Sequence, residues 1–171
     1  LNNIMGLAMH SFLLVPFHSW KISHNSHHKA TGNIQKDTAF VPHKRESWVK
    51  SHCGEKADAA AIELAPLAED APLVTLWYCI KHQLFGWPGY LFANLTGQKS
   101  EKGFPQISHF YFGEDSLYYK KEQLPLILLS DIGVGAMIAI LAVAGQYFGS
   151  WNMVLYYVLP YLWVNHWIGK S

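Results

Sequence analysis

Charged side chains are scarce in this sequence. Asp, Glu, Lys and Arg make up 15% of its 171 residues, against about 25% in an ordinary soluble domain. The 13 Lys and Arg nearly balance the 12 Asp and Glu, for a formal net charge of +1. That balance argues against nucleic acid as a partner, because phosphate binding needs a basic face. Cysteine is nearly absent. Cys53 and Cys79 have no CxxC spacing and no disulfide pattern, and read as free thiols in a reducing compartment or in the membrane. No basic segment precedes the early apolar stretch, so that stretch does not read as a signal peptide. Internal repeats and low-complexity tracts are also lacking. The chain opens on Leu1 and stops soon after an apolar run, at Gly169-Lys170-Ser171. Both ends are therefore expected to be breaks in a longer chain.

What is present is apolar and aromatic. Half the residues are hydrophobic, with 7 Trp, 9 Tyr and 9 Phe. Little charge with many Trp and Tyr suits a membrane protein whose rings sit at the headgroup level. The expected fold is all-α: an integral membrane helical protein with a transmembrane hairpin, interfacial helices and a water-facing histidine-rich region. Residues 1–20 read as an apolar lead-in helix, about the length of a span, although Pro16, His10 and His18 interrupt it. Residues 21–72 hold half of the ten histidines and much of the charge. Lys44, Arg45, Lys50 and Lys56 place this region on the cytosolic side. A short helix over 58–64 is expected there from propensity.

Residues 73–95 are apolar again, but Lys81 and His82 sit in their middle. A charge at the bilayer centre costs roughly 2.5–3.5 kcal/mol, and Gly86-Trp87-Pro88-Gly89 would break a straight helix. An interfacial or re-entrant segment is therefore expected. Residues 124–168 read as the transmembrane hairpin. Ser130 or Asp131 is expected to cap a helix beginning at Ile132. Gly149-Ser150 makes the turn, and Pro160 kinks the returning helix.

The chemical signal is His24-Asn25-Ser26-His27-His28. On a helix, residues i, i+3 and i+4 share a face, so His24, His27 and His28 point together. Neutral imidazole ligates zinc, iron, copper or nickel. Three of them can serve one ion or be split between two. A single histidine near a membrane ordinarily snorkels or makes a hydrogen bond. Three at this spacing, just after an apolar stretch, form a stronger pattern. Zinc remains open on spacing alone, but the zinc-protease signature needs a Glu between its histidines, and Asn25 and Ser26 supply no base.

The same residues resemble the second histidine box of the membrane fatty acid desaturases. His10-Ser11-Phe12-Leu13-Leu14-Val15-Pro16 and Ser19-Trp20-Lys21 resemble the approach to that box in the oleate (delta-12) branch. Lys29-Ala30-Thr31-Gly32, Lys36-Asp37 and Phe40-Val41-Pro42 follow in the same order. Leu84-Phe85-Gly86-Trp87-Pro88, Asn94-Leu95-Thr96-Gly97, Ser130-Asp131-Ile132-Gly133-Val134 and Val164-Asn165-His166-Trp167 resemble later family segments.

The resemblance implies a multi-pass enzyme of the endoplasmic reticulum membrane with its histidine box facing the cytosol. It implies a non-haem di-iron centre, with His24, His27 and His28 among the iron ligands. It implies O2 as oxidant, cytochrome b5 and its reductase as electron donors, and a fatty acyl substrate converted from oleoyl to linoleoyl. Such chemistry agrees with the residues, since taking hydrogen from an unactivated methylene is work for a metal cofactor and not for acid–base side chains. By the same resemblance a first box is expected upstream of Leu1 and a third downstream of Ser171. Without those ligands the 171 residues are expected to be inactive alone.

Sister readings are an omega-3 desaturase, an acyl hydroxylase or an acetylenase on the same scaffold. Readings of other classes are a non-catalytic lipid-binding remnant and a zinc-binding membrane hydrolase. His10, His18, His43, His52, His82, His109 and His166 each stand alone in the sequence and read as surface or core histidines. Asp37 reads either as an acceptor for a metal-bound histidine or as a solvated loop residue. Trp87-Pro88 reads as an interfacial turn.

Overall fold

A computed structural model of the chain describes residues 1–42, 71–97 and 103–168. The expected helix at 58–64 lies outside the described residues, as do His43, His52, Cys53 and the basic residues between Lys44 and Lys56. Among the described residues the regular structure is all helical, with no β-strand.

The apolar lead-in is two helices. Helix α1 spans Asn2–Phe12 and α2 spans Phe17–Ala30. Pro16 divides them. It lacks the N–H that a continuing helix would need, and it disfavours helical geometry in the residue before it. The chain turns through Leu14 at φ 55°, and Pro16 becomes the residue preceding α2. At about 1.5 Å per residue, the 11 residues of α1 fall well short of the roughly 30 Å hydrocarbon layer.

Helix α3 spans Pro72–Lys81 and α4 spans Trp87–Ala93, joined by a π-helical turn at His82–Gly86. The expected break at Gly86-Trp87-Pro88-Gly89 is thus absorbed as a wider turn. Pro88 would clash with the carbonyl of Leu84 in a regular helix, and Leu84 is the centre of the π-turn. The same device recurs later. A second π-turn at Val154–Val158 precedes Pro160 and contains Tyr156, four residues before it.

Lys121–Gln123 form a 3-10 turn that leads into α5, Leu124–Phe148. The stretch Lys121–Phe148 is the one helix among the described residues long and apolar enough to cross a membrane, and most of its surface is not covered by the rest of the chain. The 25 residues of α5 extend about 37 Å. Ser130 and Asp131 lie inside this helix and do not cap it, contrary to expectation. The residue before its first turn is Gln123, because Leu124-Pro125 already provides a good start: proline in the first turn gives up an N–H that would have no partner there.

The polar break has another use. Ser130, fully buried, accepts the backbone N–H of His18 at 2.9 Å and bonds the Leu126 carbonyl at 3.1 Å. His18 is in the first turn of α2, where backbone donors lack intrahelical partners. Ser130 therefore caps α2 from a neighbouring helix. Gly133, one turn on, allows close approach. A Cβ there would stand 2.5 Å from Ser11 Oγ of α1.

Gly149, at φ 87°, ends α5. Helices α6, Ser150–Met153, and α7, Leu159–Ile168, flank the second π-turn. This last stretch lies against earlier elements. The Tyr157 hydroxyl donates to the Phe12 carbonyl, their rings meet edge-on at 5.5 Å, and the Gln83 amide donates to the Leu162 carbonyl. A small core of Val15, Trp87 and Leu91, with Leu13, Trp20, Tyr90 and Phe110 around it, joins α2 to α4.

Candidate metal centre

Helix α2 carries the histidine box in its last two turns. The Thr31 hydroxyl bonds the His27 carbonyl at 2.8 Å, and Gly32, at φ 80°, turns the chain away. His27, His28 and Lys29 occupy the last turn, where the helix dipole favours positive charge. His24 and His28, one turn apart, bring their Nε2 atoms to 2.9 Å. His24 is stacked on Trp20, with ring centres 4.4 Å apart and planes at 16°. The His27 ring stands apart from this pair, 6.2 Å from His24 and 5.8 Å from His28. Burial, with His28 and His27 adding to it, pushes the His24 imidazole below its ordinary value. The neutral ring is the form that ligates metals.

His27 is steered by a carboxylate. Its Nδ1 lies 2.9 and 2.8 Å from the two oxygens of Asp37, which is 2% exposed. Burial pushes the Asp37 carboxyl up. The His27 hydrogen bond and the backbone N–H groups of Ala39 and Phe40 outweigh it, and the net shift is down. Asp37 is therefore the structural partner of a box histidine and not a solvated loop residue.

The Asp37 loop is held from a distance. Asn94 closes α4 in the left-handed conformation at φ 47°, and its side chain donates to the Thr38 carbonyl at 3.2 Å. The Thr96 hydroxyl donates to the Ala39 carbonyl at 3.1 Å, and its own carbonyl accepts the Val41 N–H at 3.0 Å. Asn94-Leu95-Thr96-Gly97 is thus a clamp on the loop that orients His27. Sequence reasoning did not assign this role. The signal was an Asn directly after an apolar helix, a frequent left-handed helix end.

The remaining histidines divide. His10 bonds the Gly6 carbonyl at 2.8 Å and packs on Phe17 and Trp20. His18 is buried, and its backbone N–H is the group that Ser130 caps. His82 lies in the first π-turn. His109 is completely buried and bonds Ser23, the residue before the box. Of His166 only the backbone is described.

Among the described residues, no group of three or more His, Cys, Asp or Glu side chains converges to hold a metal ion by itself. The donor chemistry nevertheless fits iron. The 2.9 Å between the His24 and His28 nitrogens suits two donors that share one proton, and equally two donors that share one ion. His27 has its second nitrogen anchored to a carboxylate, as metal-bound histidines ordinarily do. A pocket of about 510 Å3 opens beside the pair, lined by residues that include His18, Trp20, Lys21, His24, His28 and Leu126.

Among the described residues, fold and site together define an all-helical arrangement with a histidine-rich helix packed beside a helix of membrane-spanning length. Comparison with known proteins makes this specific. The chain is 42% identical over 171 residues to a delta(12) fatty acid desaturase of Mortierella isabellina, covering 98% of this chain and 41% of that protein. It is 39% identical over 179 residues to an oleate hydroxylase of Claviceps purpurea, covering 98% of this chain and 36% of the other. An omega-6 fatty acid desaturase of the endoplasmic reticulum from Brassica juncea is 33% identical, over 96% of this chain and 38% of its own length. The chain belongs to the membrane fatty acid desaturase family. It spans about two fifths of the length of the curated relatives it matches. No family model matches it, and no solved structure does.

Proposed function

We propose that this chain contributes a histidine box and the helices around it to a fatty acyl desaturase of the endoplasmic reticulum membrane. The observation that carries the reading is His27 turned by buried Asp37 beside the His24–His28 pair. His24, His27 and His28 would be iron ligands. The separation of a pair from a single ring favours two ions over one. Three imidazoles leave positions open on two ions, so the remaining ligands would come from the part of the relatives' length that this chain does not match.

A bound non-haem iron pair would supply the oxidising power: with O2, two electrons delivered through cytochrome b5 and its reductase and two protons from solvent, a CH2–CH2 unit would become a cis double bond and the O2 two waters. The chain's own part is positional. Trp20 and His28 fix the His24 ring, Asp37 fixes the His27 ring, and the pocket beside His24 and His28 leaves them open to an approaching acyl chain. Residues 124–168 would form the transmembrane hairpin, and 73–95 would lie in the interface, with the box on the cytosolic face.

The test is a graft. These 171 residues replace the matching stretch of the Mortierella desaturase, and the hybrid is expressed in a host that makes oleate but no dienes. Linoleate is the expected product, lost on His24→Ala. A hybrid of normal abundance that leaves oleate untouched would overturn the reading. The 39% identity to an oleate hydroxylase supports a second one, in which the product is a hydroxylated acyl chain. Mass analysis of the lipids separates the two. The 171 residues expressed alone are expected to form neither product.

A further inference from the structure

The box helix is gripped at a point that the metal reading does not use. Ser23 directly precedes His24 and is fully buried. Its partner is His109, 86 residues on, whose Nε2 lies 3.0 Å from the Ser23 hydroxyl. His109 is itself fixed on three sides. Its ring stacks on Tyr118 at 4.2 Å and lies 4.8 Å from Tyr90, and its backbone N–H donates to the Leu91 carbonyl at 2.9 Å. Its Nδ1 faces the same carbonyl at 3.3 Å.

We infer that His109 is a positioning residue for the box, a buried latch that sets the rotation and height of α2 through Ser23 and so the aim of His24 and its neighbours. The inference rests on the metal reading of the box for its consequence, but not for its geometry.

The latch works in either tautomer. If Nε2 carries the proton, it donates to Ser23 Oγ while the hydroxyl donates to the Trp20 carbonyl 3.1 Å away. If Nδ1 carries it, Nδ1–H donates to the Leu91 carbonyl and the Ser23 hydroxyl donates to Nε2. The Ser23–His109 bond survives both. Burial drives the His109 pKa down to about 4, so the ring stays neutral and retains one donor and one acceptor at neutral pH. The Leu91 carbonyl sits near the end of α4, three residues before Asn94, which begins the clamp on the Asp37 loop. One ring therefore ties the strut that holds His24 to the strut that holds the partner of His27. Leucine at 109 would fill the space and keep the backbone bond to Leu91, but it would not hold Ser23.

The experiment uses the 171-residue chain in detergent micelles with two readouts. Cobalt(II) uptake is followed by visible absorption, and hydrogen exchange is followed across residues 24–28. The variants are Ser23→Ala, His109→Leu, His109→Gln and the double variant Ser23→Ala/His109→Leu. Ser23→Ala and His109→Leu are each expected to weaken cobalt binding about tenfold or more, the range for groups that orient metal ligands. His109→Gln should recover most of the loss, because its amide reaches Ser23, and the double variant should lose no more than either single one. Unchanged affinity in both single variants overturns the latch, as do losses that multiply in the double variant. If the wild-type chain by itself takes up no cobalt, its three imidazoles need the ligands that lie outside this chain, and hydrogen exchange decides the latch. Faster exchange at 24–28 in Ser23→Ala and His109→Leu, restored in His109→Gln, upholds it. Equal exchange in all forms overturns it.

Discussion

At the scale of single residues, the site is a matter of what each imidazole has on its far side. His27 has a carboxylate, and that bond can be removed cleanly. Asparagine at 37 keeps an oxygen for the Ala39 and Phe40 N–H groups, 3.0 and 3.2 Å from Asp37 Oδ1, but gives up the charge that faces His27. Asp37→Asn is therefore expected to leave helix content unchanged and to lower metal affinity by about tenfold to a hundredfold, read by cobalt titration. His109 has no charged partner, and its contribution is to stability against pH. Its folded pKa of about 4 lies below the ordinary 6.5. Its neutral form therefore stabilises the fold fully above pH about 6.5, and that stability is lost as pH falls from there toward 4. The difference corresponds to about 3 kcal/mol. Unfolding of the chain in detergent between pH 7 and 4 should show this loss, and His109→Gln should remove that part of it. An identical pH profile in the variant would contradict the assignment. The spacing of the box was legible in the sequence because it is local. The Asp37 bond was legible only as a possibility, since Asp37 lies ten residues beyond His27, past the end of α2 and along a loop.

At the scale of elements, proline and serine do unexpected work. Pro16 divides the lead-in, while Pro88 and Pro160 are each accommodated by a π-turn that contains the residue four before them. A helix can absorb a proline in this way because widening one turn moves the clashing carbonyl aside. The sequence shows where the prolines are, but not whether the chain breaks or bulges, because that depends on what packs alongside. Ser130 makes the same point. Read locally it is a cap for a helix starting at Ile132. In the fold its hydroxyl caps α2, 112 residues away in the chain. Ser130→Ala is expected to destabilise the chain by about 1 kcal/mol, the usual worth of a cap, measured by denaturant unfolding in micelles. A variant as stable as the wild type would show that the bond contributes nothing net.

At the scale of the whole molecule, the exposed apolar surface sets the prediction. Ile132, Val143, Tyr147 and Trp151 are all more than half exposed, on the stretch expected to cross the bilayer and turn back at Gly149. With Cys53 and Cys79 replaced by Ser, single cysteines at Lys36 and Ser150 are expected to react with impermeant thiol reagents from opposite faces of microsomes. Reaction of both from one face would rule out residues 124–148 as a full crossing.

The sequence by itself determined the helical class of the described residues, the apolar run of α5, the helix break at Gly149 and the i, i+3, i+4 box. It also carried the family resemblance that the comparisons bear out. These are properties of periodicity, composition and local motif, which neighbouring residues encode among themselves. The tertiary structure decided the rest: which carboxylate turns His27, which serine caps α2, which histidine latches Ser23 and which loop the Asn94–Gly97 segment clamps. Each of those contacts joins residues from separate elements, and a polar group commits to one distant partner only when packing has buried both and removed the water that would otherwise serve either.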